Sequence, residues 1–325
     1  MVLLDEHGGR SRGLGGGDGI PVTRSNMPTN RLLLVDGTGV AYRAYYAIAS
    51  LSTRAGRPTN AVFGFIKMMQ QLQQAWKPSH CAVVFDGGLP EERMAKLPTY
   101  KAQREPMPDP LRQQFQPIED YLGKARVPSI RLDAQEADDV IATLAETARR
   151  GGAEVLLASS DKDLYQLVNE QVGMVPPSKV GTRIGPPEVF EKTGVWPASI
   201  VEWLALTGDT VDNIPGVPGV GPKTAAKLLG EFGGLQNLWQ NLDKIGSARV
   251  REALAAHRQE VARNVELVTL RRDIPVSADW DAMKSRPAEP SRLVPFYEEM
   301  EFFSLARTLR ETEADGPMLN FGERS

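Results

Sequence analysis

Nine carboxylates fall at places where an open parallel sheet would gather them. Asp36 and Asp86 end two short apolar runs, 31–36 (RLLLVD) and 81–86 (CAVVFD). Glu136, Asp138 and Asp139 open a helical stretch, and Asp161 and Asp163 follow a third apolar run at 154–159 (EVLLAS). Asp209 and Asp212 lie three apart in TGDTVDN, a spacing that puts both on one side of a turn. One acid after a strand is most simply a turn former or helix cap, and acids in a first helical turn complement the helix dipole. Taken together the meaning changes. Ligand crevices of open α/β sheets lie at the carboxyl ends of the strands. So many acids in one crevice would raise one another's pKa unless cations sat between them. Hard divalent ions with oxygen ligands, Mg²⁺ or Mn²⁺, are the expected neutralisers. Two or more of them could clamp the attacking and leaving oxygens of a phosphodiester.

A second chemistry adjoins Asp212. The segment GVPGVGPKTAAKLL holds Gly216, Gly219 and Gly221, then Pro222, Lys223, Thr224 and Lys227. Glycines free backbone N–H groups and allow close approach. Proline suits the first helical position, and the helix N-terminus attracts phosphate. Lys223 and Lys227 share a helix face. This is helix–hairpin–helix phrasing, a grip on nucleic-acid backbone without base reading; the alternative is an ordinary hairpin with a glycine turn. A Walker loop is excluded because Pro222 separates Gly221 from Lys223. A second basic stretch, 87–110, is Pro-studded and carries Arg93, Lys96, Tyr100, Lys101 and Arg104. It reads as a long loop or lid outside the core. Tyr100 among cations suits stacking on a base, although a solvated charge run is the simpler explanation of the stretch taken alone.

Composition bounds the rest. The 325 residues are 41% hydrophobic and 24% charged with net charge -3. An acidic metal site and a basic groove would cancel in that average. The single cysteine, Cys81, excludes an internal disulfide framework and a cysteine zinc site; it reads as a buried thiol of a cytoplasmic protein. No apolar run reaches the roughly 20 residues of a membrane span, so no membrane partner is expected. His7, His80 and His257 have no ligand spacing.

These residues need a frame. The runs at 31–36, 81–86, 127–132 and 154–159 read as strands, with a further edge strand at 172–175. Helices are expected at 40–49, 60–76, 111–124 and 135–150. The class is α/β with a mainly parallel sheet flanked by helices. Beyond a boundary near residue 185 the pattern is helical, at 187–192, 198–206, 222–231, 235–239 and 248–270. The expected organisation is a Gly- and Arg-rich disordered extension at 1–30, with Met27 as a candidate start, a core at 31–185 with the lid at 87–110, a helical region at 186–275, and a tail at 276–325. Within the tail, 292–309 is apolar enough to dock on the body.

The motifs LLLVDGTGVAYRAYYA, VVFDG, LPTYKAQREPMPDPL, EADDVIATLA, SSDKDLYQL and TGDTVDNIPGVPGVGPKTAAKLL resemble, in order, those of the bacterial 5'-3' exonuclease and flap endonuclease family. That family includes the N-terminal nuclease domain of DNA polymerase I and free-standing relatives. The resemblance implies a PIN-like core, a helical arch over the site, and a helix–three-turn–helix region that holds duplex. It implies that Asp36, Asp86, Glu136, Asp138, Asp139, Asp161, Asp163, Asp209 and Asp212 form the metal cluster. Lys101 and Arg104 would be arch residues near the scissile phosphate, with Tyr100 beside them, and Arg43 would contact phosphate. A K⁺ ion at the hairpin and a monomeric chain are further expectations. The implied substrates are DNA 5' flaps, nicked duplexes and RNA primer–DNA hybrids in replication and repair, with a separate DNA polymerase as partner. The rival functions are a PIN-type ribonuclease and a non-catalytic DNA-binding module.

Overall fold

The computed structural model describes residues 30–277 and 279–314, with 312–314 described by backbone alone. The expected extension up to residue 29, with His7 and Met27, and the polar end from 315 lie outside the described residues.

The sheet is built from β1 (Arg31–Asp36), β2 (His80–Phe85), β3 (Ser129–Arg131), β4 (Glu154–Ala158) and β5 (Val172–Met174). Their order is β3-β2-β1-β4-β5 and every pair is parallel. Parallel strands covered on both faces read as continuous apolar runs, which is why LLLV in β1 shows no alternation. Its side chains still alternate between layers. Leu32 and Leu34 pack into one core with α6 (Ala137–Arg150), whereas Leu33 and Val35 pack into the other with α1 (Gly37–Ala47) and α2 (Asn60–Trp76). The fold is therefore the expected mainly parallel α/β sheet flanked by helices.

The stretch 87–110 departs from the expected lid. It contains α3 (Glu91–Lys96), a run of turns, and the start of α4 (Asp109–Arg112). Leu97 and Tyr100 belong to the core. α5 (Phe115–Ala125) follows. Between α4 and α5, the fully buried Gln114 accepts the Ala61 and Val62 N–H groups at 2.8 and 3.2 Å. These are orphan donors of the first turn of α2.

The helical region comprises α7 (Pro186–Thr193), α8 (Ile200–Thr207), α9 (Pro222–Phe232), α10 (Leu235–Gln240), α11 (Ala248–Ala256) and α12 (Arg258–Val268). The helix expected over 248–270 breaks at His257, where φ is -107° and ψ 20°. A two-residue ladder, β6 (Gly208–Asp209) with β7 (Ile214–Pro215), closes the loop that carries Asp212. The segment expected at 292–309 is two helices after α13 (Trp280–Met283): α14 (Pro290–Glu299) and α15 (Phe303–Ala314). They are parted at Glu301, with φ 59°. Phe296, Tyr297 and Phe302 dock into the α1–α2 core, as their apolar character implies. Among the described residues no helix is long and apolar enough to cross a membrane. The Cys81 thiol is buried, and burial pushes it up to about 12.

Candidate active site

In this strand order the chain runs to opposite sides from β1, through β2 to β3 and through β4 to β5. The crevice at the carboxyl ends of β1 and β4 is the switch point where such sheets bind ligands. Asp36 ends β1 there. Its Oδ1 accepts the Gly39 N–H at 2.7 Å and caps α1, which therefore begins at Gly37. Its Oδ2 accepts the Ser159 hydroxyl at 2.9 Å, just past the end of β4. Asp86 follows β2; its Oδ1 accepts the Ala137 N–H at 2.9 Å, joining it to the start of α6. Asp161 caps the 3₁₀ turn Lys162–Leu167 by accepting the Asp163 N–H. Asp36, Asp86, Asp138 and Asp161 line one basin of about 480 Å³, together with Tyr42, Lys101, Arg104, Met107 and Val211.

The acids of this open bank repel one another. Burial pushes the Asp36 carboxyl up to about 6; Asp86 and Asp161 raise it, while the bonds from Gly39 and Ser159 work the other way. Asp138 is pushed well above the usual carboxylate range by burial and then by Asp161, Asp36 and Asp86. Asp163 is also pushed well above it, by burial and by Asp161, Asp209 and Asp212, and its buried Oδ1 has no hydrogen-bond partner. Asp161 is raised by burial and by Asp212 and Asp209, with Lys101 opposing. An all-oxygen donor set with an orphaned buried oxygen fits a hard divalent cation. Among the described residues no three carboxylates already close on a single point.

A second bank is held by the protein's own cations. Glu136 is bonded by Arg93 and Lys101 and accepts the Tyr100 hydroxyl at 3.1 Å. Burial acts to raise its carboxyl, but Lys101 and Arg93 bring it below the usual range. Asp139, with no exposed surface, accepts Arg93 Nη2 and the Arg271 N–H, both at 2.9 Å. Asp212 accepts Arg104 Nη2 at 2.8 Å and the Tyr100 hydroxyl at 3.2 Å, and Lys101 Nζ lies 3.4 Å away. Asp209 stands apart, paired with Lys162 at 3.2 Å. Lys101 has φ 53°, a region that side chains disfavour. Its N–H donates to the Asp212 carbonyl at 3.0 Å and helps hold it there. Tyr100 differs from the expectation: its ring is 4% exposed, so it offers no face for a base to stack on. The hydroxyl's bonds to Glu136 and Asp212 draw it inward. Arg43 lies on the exposed side of α1, one residue from Tyr42 of the basin.

The hairpin leaves the second bank directly. Gly216 was expected to admit a ligand, yet its close neighbour is the chain itself: a Cβ there would lie 2.1 Å from the Thr207 carbonyl oxygen. Gly219 turns the chain at φ 82°, and Gly221 precedes Pro222 at the first position of α9. Lys223 and Lys227 are exposed and Thr224 is half-buried. Three contributors were missed in the sequence. Arg93 looked like a lid cation. Exposed Arg249 carries its Nε 3.9 Å from where a Cβ on Gly219 would stand. Asn264, 1% exposed in α12, donates to the carbonyls of Ala205 and Pro215 and clasps the hairpin to α8. A polar residue in an amphipathic helix gives no signal of such a clasp. His80 packs edge-on against Trp280, and His257 sits at the α11–α12 break, so neither joins the basin.

Residues 31–194 match the model of the 5'-3' exonuclease N-terminal resolvase-like domain, and residues 195–291 match that of the 5'-3' exonuclease C-terminal SAM fold. DNA polymerase I of Rhizobium leguminosarum is 39% identical over 290 residues, 87% of this chain and 28% of that protein. The thermostable DNA polymerase I of Thermus thermophilus is 39% identical over 293 residues, 90% of this chain and 34% of that protein. The chain thus spans about a third of the length of these relatives. A solved structure of divalent zinc ions bound to the 5'-exonuclease of bacteriophage T5 superposes with TM-score 0.62 at 25% identity, covering 74% of this chain and 89% of that one.

Proposed function

The chain belongs to the 5'-3' exonuclease family, and from that premise we propose that it is a divalent-cation-dependent, structure-specific 5' nuclease. The substrates we infer are DNA 5' flaps, nicked duplexes and RNA primer–DNA hybrids. The observation that carries this reading is the juxtaposition of an acid bank whose carboxylates, among the described residues, form no ion pair with lysine or arginine and an exposed lysine-bearing hairpin, joined through the Asp209–Asp212 loop.

In this reading Asp36, Asp86, Asp138, Asp161 and Asp163 hold two or more divalent cations, Mg²⁺ or Mn²⁺, with Asp209 and Asp212 at the edge. Glu136 and Asp139 stand behind them. The bound ions supply the charge that activates water and stabilises the leaving oxygen. Lys101 and Arg104 border the basin and add positive charge beside the scissile phosphate, where charge grows in the transition state. Arg43 receives a neighbouring phosphate from the outer face of α1. The N-terminus of α9, with Lys223, Thr224 and Lys227, binds duplex phosphates without reading bases. Gly219 and Gly221 shape that grip, with a K⁺ ion at the hairpin carbonyls included in the proposal. Asn264 keeps the hairpin on α8, and so keeps the grip at a set distance from the basin. The protein acts as a monomer in partnership with a DNA polymerase.

The test is product mapping on a 5'-labelled flap duplex, a nicked duplex and a single-stranded RNA, with Mg²⁺ and with EDTA. The expected result is Mg²⁺-dependent cutting next to the single-strand/duplex junction and little cutting of the RNA. Equal or faster cleavage of the RNA would favour the ribonuclease reading. Tight flap binding with no product in Mg²⁺ or Mn²⁺ would favour a non-catalytic module.

A further inference from the structure

Arg93 is buried, with 7% of its surface exposed. It lies on α3, a helix of under two turns. Lys96 on the same helix bonds Glu92 at 2.9 Å and Glu266 of α12 at 3.0 Å, so α3 is tied to the helical region from outside. Arg93 points inward. Its Nη1 donates to Glu136, while Nη2 donates to Asp139 at 2.9 Å and to the Thr269 carbonyl, just past α12, at 3.3 Å. Glu136 occupies the N-cap position of α6, with its carboxylate turned to Arg93 and Lys101, and Asp139 lies in the first turn. Between them the Ala137 N–H holds Asp86, and Asp138 lines the basin. The guanidinium therefore spans the turn that delivers Asp138, and it connects that turn to the end of α12. Asn264 of the same helix clasps the hairpin.

We propose that Arg93 is the positioning residue of this site: its guanidinium fork fixes the first turn of α6, and with it Asp138 and Asp86, relative to the helical region that carries the hairpin. The inference rests on the nuclease reading for its consequence, although its geometry stands apart from it. Two donors in one plane are required, so lysine is no substitute. Arg93 touches neither substrate nor cation; it acts through the acids.

The experiment compares the full chain with Arg93→Lys and with the double variant Arg93→Met/Asp139→Asn, which removes the cation and one buried charge together. Three quantities are read: Mn²⁺ affinity of the DNA-free protein by electron paramagnetic resonance, flap-DNA affinity in Ca²⁺, and the Mg²⁺ dependence of single-turnover cleavage. The expected result for Arg93→Lys is Mn²⁺ binding weakened by about tenfold or more, the range seen when a partner behind a metal ligand is lost. The half-saturating Mg²⁺ should rise by a similar factor, and flap affinity should stay within about twofold of wild type. A folded Arg93→Lys protein with wild-type Mn²⁺ affinity and Mg²⁺ dependence would overturn the proposal. Should Arg93→Lys fail to fold, the double variant is compared with Asp139→Asn alone: Mn²⁺ binding weaker than in that single variant supports positioning, and equal binding overturns it. Failure of both to fold would overturn it too, assigning Arg93 to core stability alone. A wild-type protein that binds Mn²⁺ yet never cuts DNA would sink the nuclease reading, and the Mn²⁺ comparison would still judge Arg93.

Discussion

The two acid banks use the same residue types and differ in their partners: the second bank is ion-paired to lysine and arginine, although burial still raises Asp139 there, and the open bank is not ion-paired. Asp36, Asp138, Asp161 and Asp163 sit among one another, and burial with mutual repulsion pushes their carboxyls up. Glu136 and Asp212, one strand-end away, are met by Arg93, Lys101, Arg104 and the Tyr100 hydroxyl, and Glu136 is brought down. Carboxylates left without protein cations can be neutralised only by protons or by ions from solution. Carboxylates supplied with cations, Glu136 and Asp139 in the proposed reading, hold the basic stretch against the body.

Substitution separates the two banks, and the largest effect is expected in the open bank. Asp36→Asn/Asp138→Asn should lower single-turnover flap cleavage by about 10⁴-fold or more, since it removes ligands and not only their orientation. The variant should remain folded, because burying an amide costs less than burying an unpaired charge. Lys101→Ala comes next. It frees Glu136 and Asp212 of a partner and removes charge from the basin, so turnover should fall by roughly 10²–10³-fold with flap affinity changed little. A weakened affinity with unchanged turnover would mean that Lys101 belongs to the grip. Lys223→Ala and Lys227→Ala lie outside both banks. Each should weaken flap binding several-fold and lower the slope of log affinity against log salt by about one. Saturated turnover should hold.

The smallest effect is a matter of pH. The folded protein binds a proton at Asp36 up to about pH 6, whereas the unfolded chain releases it near the ordinary value of 3.8. In EDTA, stability should therefore fall as the pH rises from about 4 to about 6, and this group should contribute no further change above that. Asp36→Asn should remove that part of the slope, visible as a few degrees of melting temperature. Divalent cation should restore stability on the alkaline side. The same slope in wild type and Asp36→Asn would contradict the assignment.

Much of the open bank was legible because parallel strands end at the ligand face. An apolar run that stops at an acid places that acid, and 31–36 was bounded to the residue. Pro222 marked the start of α9 for a similar local reason. The second bank was not legible. Pro-studded basic sequence around Arg93 and Tyr100 looks solvated, and their burial depends on Glu136, Asp139 and Asp212, which local pattern does not bring near. Gly216 was read by its freedom, whereas the crossing of Thr207 imposes it. The breaks at His257 and Glu301 are backbone turns that helical periodicity does not report.

The central claim is that the open bank, and not the cation-held one, takes up divalent ions. Counting Mn²⁺ bound to the DNA-free protein by electron paramagnetic resonance tests it most directly, in wild type, Asp36→Asn/Asp138→Asn and Asp139→Asn. The expected result is two or more ions for wild type, loss of at least one in the double variant, and an unchanged number in Asp139→Asn with affinity alone reduced. Full occupancy in the double variant, or loss of an ion only in Asp139→Asn, would contradict it.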